Sequence, residues 1–201
     1  MSELKPTRGY GLLEEFLAKQ RSGLADRLIP YKKRKGSVLD IGCGKFPFFL
    51  VNTKFNKKYG IDKLIRKGYD RHFQDIKIRF IHYDIVKEKS MPFNDGYFDV
   101  VTMLAVIEHI HPEKLEGVFK EILRILKPGG MYIITTPAVA AGPILRFMAK
   151  LRLVSPAEIR EHKHAYSHDK LLTLLQRSGF LKDKMRFGYF FLNTWVVSNR
   201  T

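Results

Sequence analysis

Cysteine is nearly absent, with Cys43 alone among 201 residues. A lone thiol excludes an internal disulfide framework and any metal site built from several cysteines. Acidic residues are also scarce: 20 Asp plus Glu stand against 36 Lys plus Arg, a formal net charge of +16. Long hydrophobic runs are missing too. The longest uncharged stretch, residues 128–145, is broken by Gly129, Gly130, Pro137, Gly142 and Pro143. A spanning helix needs roughly 20 mostly apolar residues, so no transmembrane segment is expected. Met1 to Thr7 lacks the apolar run of a secretory signal. These absences predict a cytoplasmic chain, while leaving peripheral contact with a membrane surface open.

What is present suits a single globular domain. Hydrophobic residues make up 45% and charged residues 28%, enough apolar surface to offset chain entropy at this length. The positive surplus implies an anionic partner without choosing among nucleic acid, phosphate and lipid. It is unevenly spread. Residues 91–130 carry four basic and six acidic side chains, whereas residues 131–201 carry eleven and four. The one dense cluster, Lys32-Lys33-Arg34-Lys35, reads either as a solvated linker or as an anion contact. No basic motif interleaved with aromatics, of the kind that stacks single-stranded nucleic acid, is present.

Helical and strand-like patterns alternate along the chain. Leu12, Leu13, Phe16, Leu17, Leu24 and Leu28 recur at helical spacing, which predicts a helix over Tyr10 to Leu28 with a break near Gly23. Short strands are expected at Val38–Ile41, Lys58–Asp62, Ile78–Tyr83, Phe98–Leu104 and Met131–Thr136. Helices are expected at Phe46–Val51, Leu64–Phe73 and Pro112–Leu126. The last has Pro112 and Glu113 in its first turn and Pro128-Gly129-Gly130 beyond its end. This rhythm implies parallel strand–helix–strand units. Ser167 suits the N-cap of a further helix, and two closing strand-like runs predict an antiparallel hairpin. The fold class is therefore α/β: a doubly wound seven-stranded sheet, mostly parallel with an antiparallel last strand, and helices on both faces.

The first strand closes on Asp40-Ile41-Gly42-Cys43-Gly44. Two near-adjacent glycines let the backbone turn sharply and approach a ligand. Asp62 ends the second strand and Asp84 the third. Each carboxylate alone is readable as a helix cap or a solvated strand end. Together they stand where open α/β sheets bind nucleotide-like ligands, with Asp62 suited to a ribose diol.

On these residues, with Tyr59-Gly60-Ile61-Asp62, Phe98-Asp99-Val100-Val101, Ile107-Glu108-His109-Ile110 and Leu126-Lys127-Pro128-Gly129-Gly130, the chain resembles class I S-adenosylmethionine-dependent methyltransferases, of Rossmann-like fold. The resemblance spans about residues 36–137 and continues through Tyr166-Ser167 and Gly179-Phe180. It implies S-adenosylmethionine as cofactor and S-adenosylhomocysteine as product. It implies that Asp40, Gly42, Cys43 and Gly44 shape the methionine end of the pocket. Asp62 and Lys63 would serve the ribose, Asp84 and Ile85 the adenine, and Leu104 and Ala105 the floor beside the sulfonium. Phe46 stands where the family usually has a third glycine. In this frame residues 1–36 form an N-terminal helix and basic linker, 37–137 the cofactor-binding core, 138–166 an acceptor-side lid, and 167–201 the last helix and hairpin.

Methyl transfer needs a general base only where the acceptor carries a proton at neutral pH. Glu108 and His109, just after the fourth strand, are candidate catalytic residues. So are His164 and Tyr166, in the Glu161-His162-Lys163-His164-Ala165-Tyr166 segment. No metal site is expected. The apolar and basic stretch from Ala138 to Val154 suits a small-molecule, amphiphilic or lipid-like acceptor; the alternative is a lid helix packing on its own domain. An RNA or protein methyltransferase exploiting the basic surface is the alternative, and a non-catalytic cofactor-binding regulator is a third reading.

Overall fold

The computed structural model describes residues 12–65, 73, 76–161 and 164–201. Its centre is a seven-stranded sheet of order β3-β2-β1-β4-β5-β7-β6. The strands are β1 (Ser37–Ile41), β2 (Lys57–Asp62), β3 (Ile78–His82), β4 (Phe98–Leu104), β5 (Leu126–Pro137), β6 (Met185–Phe190) and β7 (Asn193–Asn199). β1 to β5 are mutually parallel. β7 enters between β5 and β6 and runs antiparallel to both.

Every residue of β1 is buried, as expected of a central parallel strand covered on both faces. Successive residues turn to opposite faces. Leu39, Val101, Tyr132, Ile134 and Val196 pack with Leu115, Phe119, Ile122 and Leu171. These last belong to α3 (Pro112–Ile125) and α6 (His168–Arg177). Val38, Val100, Ile133 and Val197 pack on the other face with Ala25, Phe49 and Leu50, from α1 (Glu14–Leu28) and the short α2 (Phe48–Asn52). One period-2 pattern thus makes two cores.

The expected parallel core and closing hairpin both form, and Ser167 caps α6 by accepting from the Lys170 amide at 3.4 Å. Several boundaries differ from expectation. α1 runs unbroken through Gly23, where a Cβ would meet nothing within 4 Å, so glycine there costs propensity without breaking the helix. β5 begins at Leu126 instead of Met131, because Leu126 pairs with Phe98 before a register shift absorbs Lys127 to Gly130. The expected helix over Leu64–Phe73 lies largely outside the described residues. Two further helices, α4 (Gly142–Lys150) and α5 (Pro156–Glu161), fill the segment after β5. Among the described residues no helix is long and apolar enough to cross a membrane.

Gly60, mid-β2, shows how tightly the sheet packs beneath the site. A Cβ there would stand 2.8 Å from Cys43 Sγ, 3.0 Å from Phe80 and 3.1 Å from Leu50. Gly60→Ala is therefore expected to lower stability by about 1–3 kcal/mol through overpacking, read as a lowered denaturant midpoint at unchanged slope.

Candidate functional site

The winding of the sheet reverses between β1 and β4, which are hydrogen-bonded neighbours. β1 leads into α2 on one face and β4 into α3 on the other, leaving a crevice at their carboxyl ends. A cavity of about 300 Å³ occupies it. That lies at the lower end of the range for small-molecule sites.

The β1 turn forms one wall. Gly42 and Gly44 have φ of +73° and +70°, values that L side chains rarely adopt. At Gly42 a Cβ would collide with Val106 at 2.5 Å, while at Gly44 a Cβ would meet nothing within 4 Å. The Asp62 carboxylate braces this turn, Oδ2 accepting from the Gly44 amide at 2.9 Å and Oδ1 from the Leu64 amide at 2.8 Å. Ala105 closes the end of β4 at φ +56°, a left-handed conformation held by its amide donating to Thr135 O at 2.9 Å. Backbone strain of this kind gathers at functional sites.

Asp40 is buried and accepts from Thr102 Oγ1 at 2.6 Å. Burial raises its pKa from 3.8 to about 7; Thr102 opposes the shift and the Asp62 charge adds to it. Cys43 is driven well above the ordinary thiol range by burial and then by Asp40 and Asp62, so it stays a neutral thiol and acts as apolar wall. Asp84, in the turn after β3, receives the Val86 amide on Oδ1 at 3.1 Å.

All ten residues expected at a cofactor site line the cavity: Asp40, Gly42, Cys43, Gly44, Asp62, Lys63, Asp84, Ile85, Leu104 and Ala105. Glu108 and His109 line it as well. They sit on a single 3-10 turn (Ile107–His109), where Glu108 Oε2 accepts from Thr136 Oγ1 at 3.1 Å. The structure does not bring the other two candidate catalytic residues to the wall. Tyr166 is fully buried and donates its hydroxyl to Ile110 O at 2.9 Å, a structural role. His164 donates its backbone amide to Glu108 O at 3.3 Å and sets its ring edge-on to His111. It therefore supports the Glu108 turn from outside the cavity. His162 lies outside the described residues. Phe46 lines the cavity beside Phe48 and Phe73, and α2 begins only at Phe48, after Pro47.

Sequence reasoning expected a cover from residues 138–166 and missed the part that α1 supplies. Glu14, Leu17, Ala18, Arg21 and Ser22 of α1 line the cavity, as do Leu145, Val154, Ser155 and Ile159 from the segment after β5. The two parts are tied together. The Ser155 amide donates to the buried Glu14 carboxylate at 2.6 Å, and the Leu13 amide to Leu153 O at 2.8 Å. One signal was legible: Glu14 and Ser22 interrupt the apolar inward face, Leu17, Leu24 and Ala25, of a mostly polar helix, where polar groups need a partner or a task.

Sheet order, antiparallel seventh strand and a glycine turn at the switch point define a Rossmann-like methyltransferase. Residues 13–183 match the model of a family described as a methyltransferase domain, and the chain belongs to that family of S-adenosylmethionine-dependent methyltransferases. It is 30% identical over 181 residues to an Encephalitozoon cuniculi protein named as a methyltransferase, covering 83% of this chain and 81% of that one. It is 36% identical over 104 residues to a sterol 24-C-methyltransferase of Aspergillus fumigatus, covering 47% of this chain. The match spans only 26% of the sterol enzyme's length. Among solved structures, a SAM-dependent methyltransferase from Thermotoga maritima superposes with a TM-score of 0.67 at 17% identity, covering 94% of this chain and 92% of that one. That likeness concerns the fold.

Asp40 yields a stability prediction. Because folding raises its pKa, its ionisation costs the folded state more than the unfolded one as pH rises from about 4 to about 7. Asp40→Asn removes that cost. The variant is expected to be more stable than wild type at pH 8, by up to about 4 kcal/mol, with the gain fading as pH falls toward 4. Thermal unfolding across this range reads it.

Proposed function

We propose that this chain transfers a methyl group from S-adenosylmethionine to a small, lipid-like acceptor by in-line displacement. The observation that carries the reading is the composition of the one cavity at the switch point. Its sheet-side wall bears three carboxylates and an open glycine turn, and its cover sets Leu17, Leu145, Val154 and Ile159 beside the polar Glu14, Arg21, Ser22 and Ser155. The partial likeness to sterol 24-C-methyltransferases supports an acceptor of apolar character.

The residues fit the cofactor. The open space at Gly44 admits a group against the backbone, and the buried Asp40, whose ionised form a neighbouring cation favours, suits the cationic amino-acid end. Asp62 would hold the ribose hydroxyls, with Lys63 beside it. Asp84 and the Ile85 backbone would meet the adenine, and Leu104 and Ala105 would floor the reacting centre. When bound, the cofactor supplies a methyl group already activated on a sulfonium. The protein's task is then alignment and exclusion of water. The α1 cover, latched through Glu14 to Ser155, serves exclusion. Glu108 and His109, on the wall next to the β4 end, are the groups suited to orient the acceptor or take its proton. Residues 138–166 act as the acceptor-side cover.

Isothermal titration tests the cofactor reading. Asp62→Ala is expected to weaken S-adenosylmethionine and S-adenosylhomocysteine binding about 10- to 150-fold, the loss of one or more hydrogen bonds to a charged group. Wild-type binding is expected to strengthen as pH rises through 7, because a cation beside Asp40 favours the ionised carboxylate. Failure of the wild type to bind either compound would leave a protein without transferase activity. Incubation with labelled cofactor and a lipid extract tests the acceptor class. Label in the lipid fraction is expected, and label only in RNA or protein would overturn it.

A further inference from the structure

The cover over the cavity is more apolar outside than its packing requires. Along α4 three stripes can be separated by helical spacing. Leu145 and Ala149 are buried against the domain. Ile144, Phe147 and Leu151 form a second stripe that faces out, with Phe147 62% exposed. Arg146 and Lys150 form a third, also exposed. The outward apolar stripe does not stand alone. The chain at Leu153 is bonded to Leu13, next to Leu12, which is 81% exposed. Phe16, one turn on, meets Phe191 edge-on at 5.9 Å, and both are exposed. Three segments distant in sequence thus bring large apolar side chains together around the cover. Exposed apolar side chains gathered from several segments mark an interaction surface, where scattered single residues do not.

Charge complementarity selects the occupant. Residues 138–160 contain Arg146, Lys150, Arg152 and Arg160 against the single acidic Glu158, and all four cations are exposed. Two copies meeting through this face about a two-fold axis would set like charges together. Nucleic acid offers no complement to Ile144 and Leu151, which have no stacking plane. An anionic bilayer offers both acyl chains for the apolar stripe and head groups for the cations beside it.

We infer that α4, with the start of α1 and the β6–β7 turn, docks this domain on an anionic phospholipid surface, cover side down. An acceptor partitioned into that surface then lies at the face bearing the cavity's cover. Docking itself requires no turnover, so it stands or falls independently of the acceptor.

The test is co-sedimentation of the full chain with phosphatidylcholine vesicles, with and without phosphatidylserine. Binding is expected only with phosphatidylserine and is expected to weaken with salt. Arg146→Ala and Lys150→Ala are each expected to reduce partitioning about fivefold. Phe147→Ser is expected to reduce it at least as much, with thermal unfolding and cofactor titration unchanged in all three variants. Phe147→Trp is expected to gain a blue-shifted emission component on anionic vesicles. Absence of binding to either vesicle by a protein that still binds cofactor would overturn the inference. Vesicle binding indifferent to Phe147 and to the two cations would do the same. So would self-association abolished by Phe147→Ser, or salt-sensitive RNA binding with no vesicle binding.

Discussion

Between β1 and β4 the sheet changes the direction in which it is wound, and the chemistry of the domain follows from that reversal. The connections after these neighbouring strands leave to opposite faces, so their carboxyl ends cannot be covered by the helices they lead into. The Thr102 hydroxyl, on β4, reaches across to the Asp40 carboxylate on β1. That bond joins the two strands at the floor of the gap. Gly42 and Gly44 can then turn away from the sheet, Ala105 is held in a left-handed conformation on the other side, and a cavity is left between them.

The electrostatics of that cavity run against those of the molecule. A chain of formal charge +16 assembles Asp40, Asp62 and Asp84 along one wall. Asp62 accepts from two backbone amides. Burial pushes the Asp40 carboxyl up to about 7, and the neighbouring Asp62 charge adds to the shift. A buried carboxylate such as Asp40 is costly to ionise unless a cation lies beside it. The gathering of three acids on one wall is understandable as preparation for a cationic ligand, while the basic surplus is spread over residues 1–90 and 131–201.

The cover has two apolar sides. Inward, Leu17, Leu145 and Val154 complete the cavity; outward, Ile144, Phe147 and Leu151 meet solvent. An amphipathic helix that served only as a lid would need the first set alone.

Much of this was legible from residue order. The alternation of β-branched runs with helical periods named the strands, and β4 came out at its observed bounds because its ends are marked by a charged turn and by Leu104. The glycine turn and the carboxylates at strand ends named the cofactor wall, since local backbone geometry and strand polarity are properties of short segments. Other features depended on distant parts meeting. Tyr166 looked reactive by residue type, yet its hydroxyl is committed to Ile110 O within the core, a contact set by how the α6 entry packs. β5 started early because Leu126 found a partner in Phe98. The place of β7 between β5 and β6, and the latch that brings Glu14 to Ser155 across 141 positions, have no local signature. The sequence by itself determined the sheet's parts and the chemistry at their ends, because propensity and periodicity act over a few residues. Only the tertiary structure decided that α1 shares in covering the cavity and which apolar residues remain outside, because those are settled by packing between segments the chain keeps far apart.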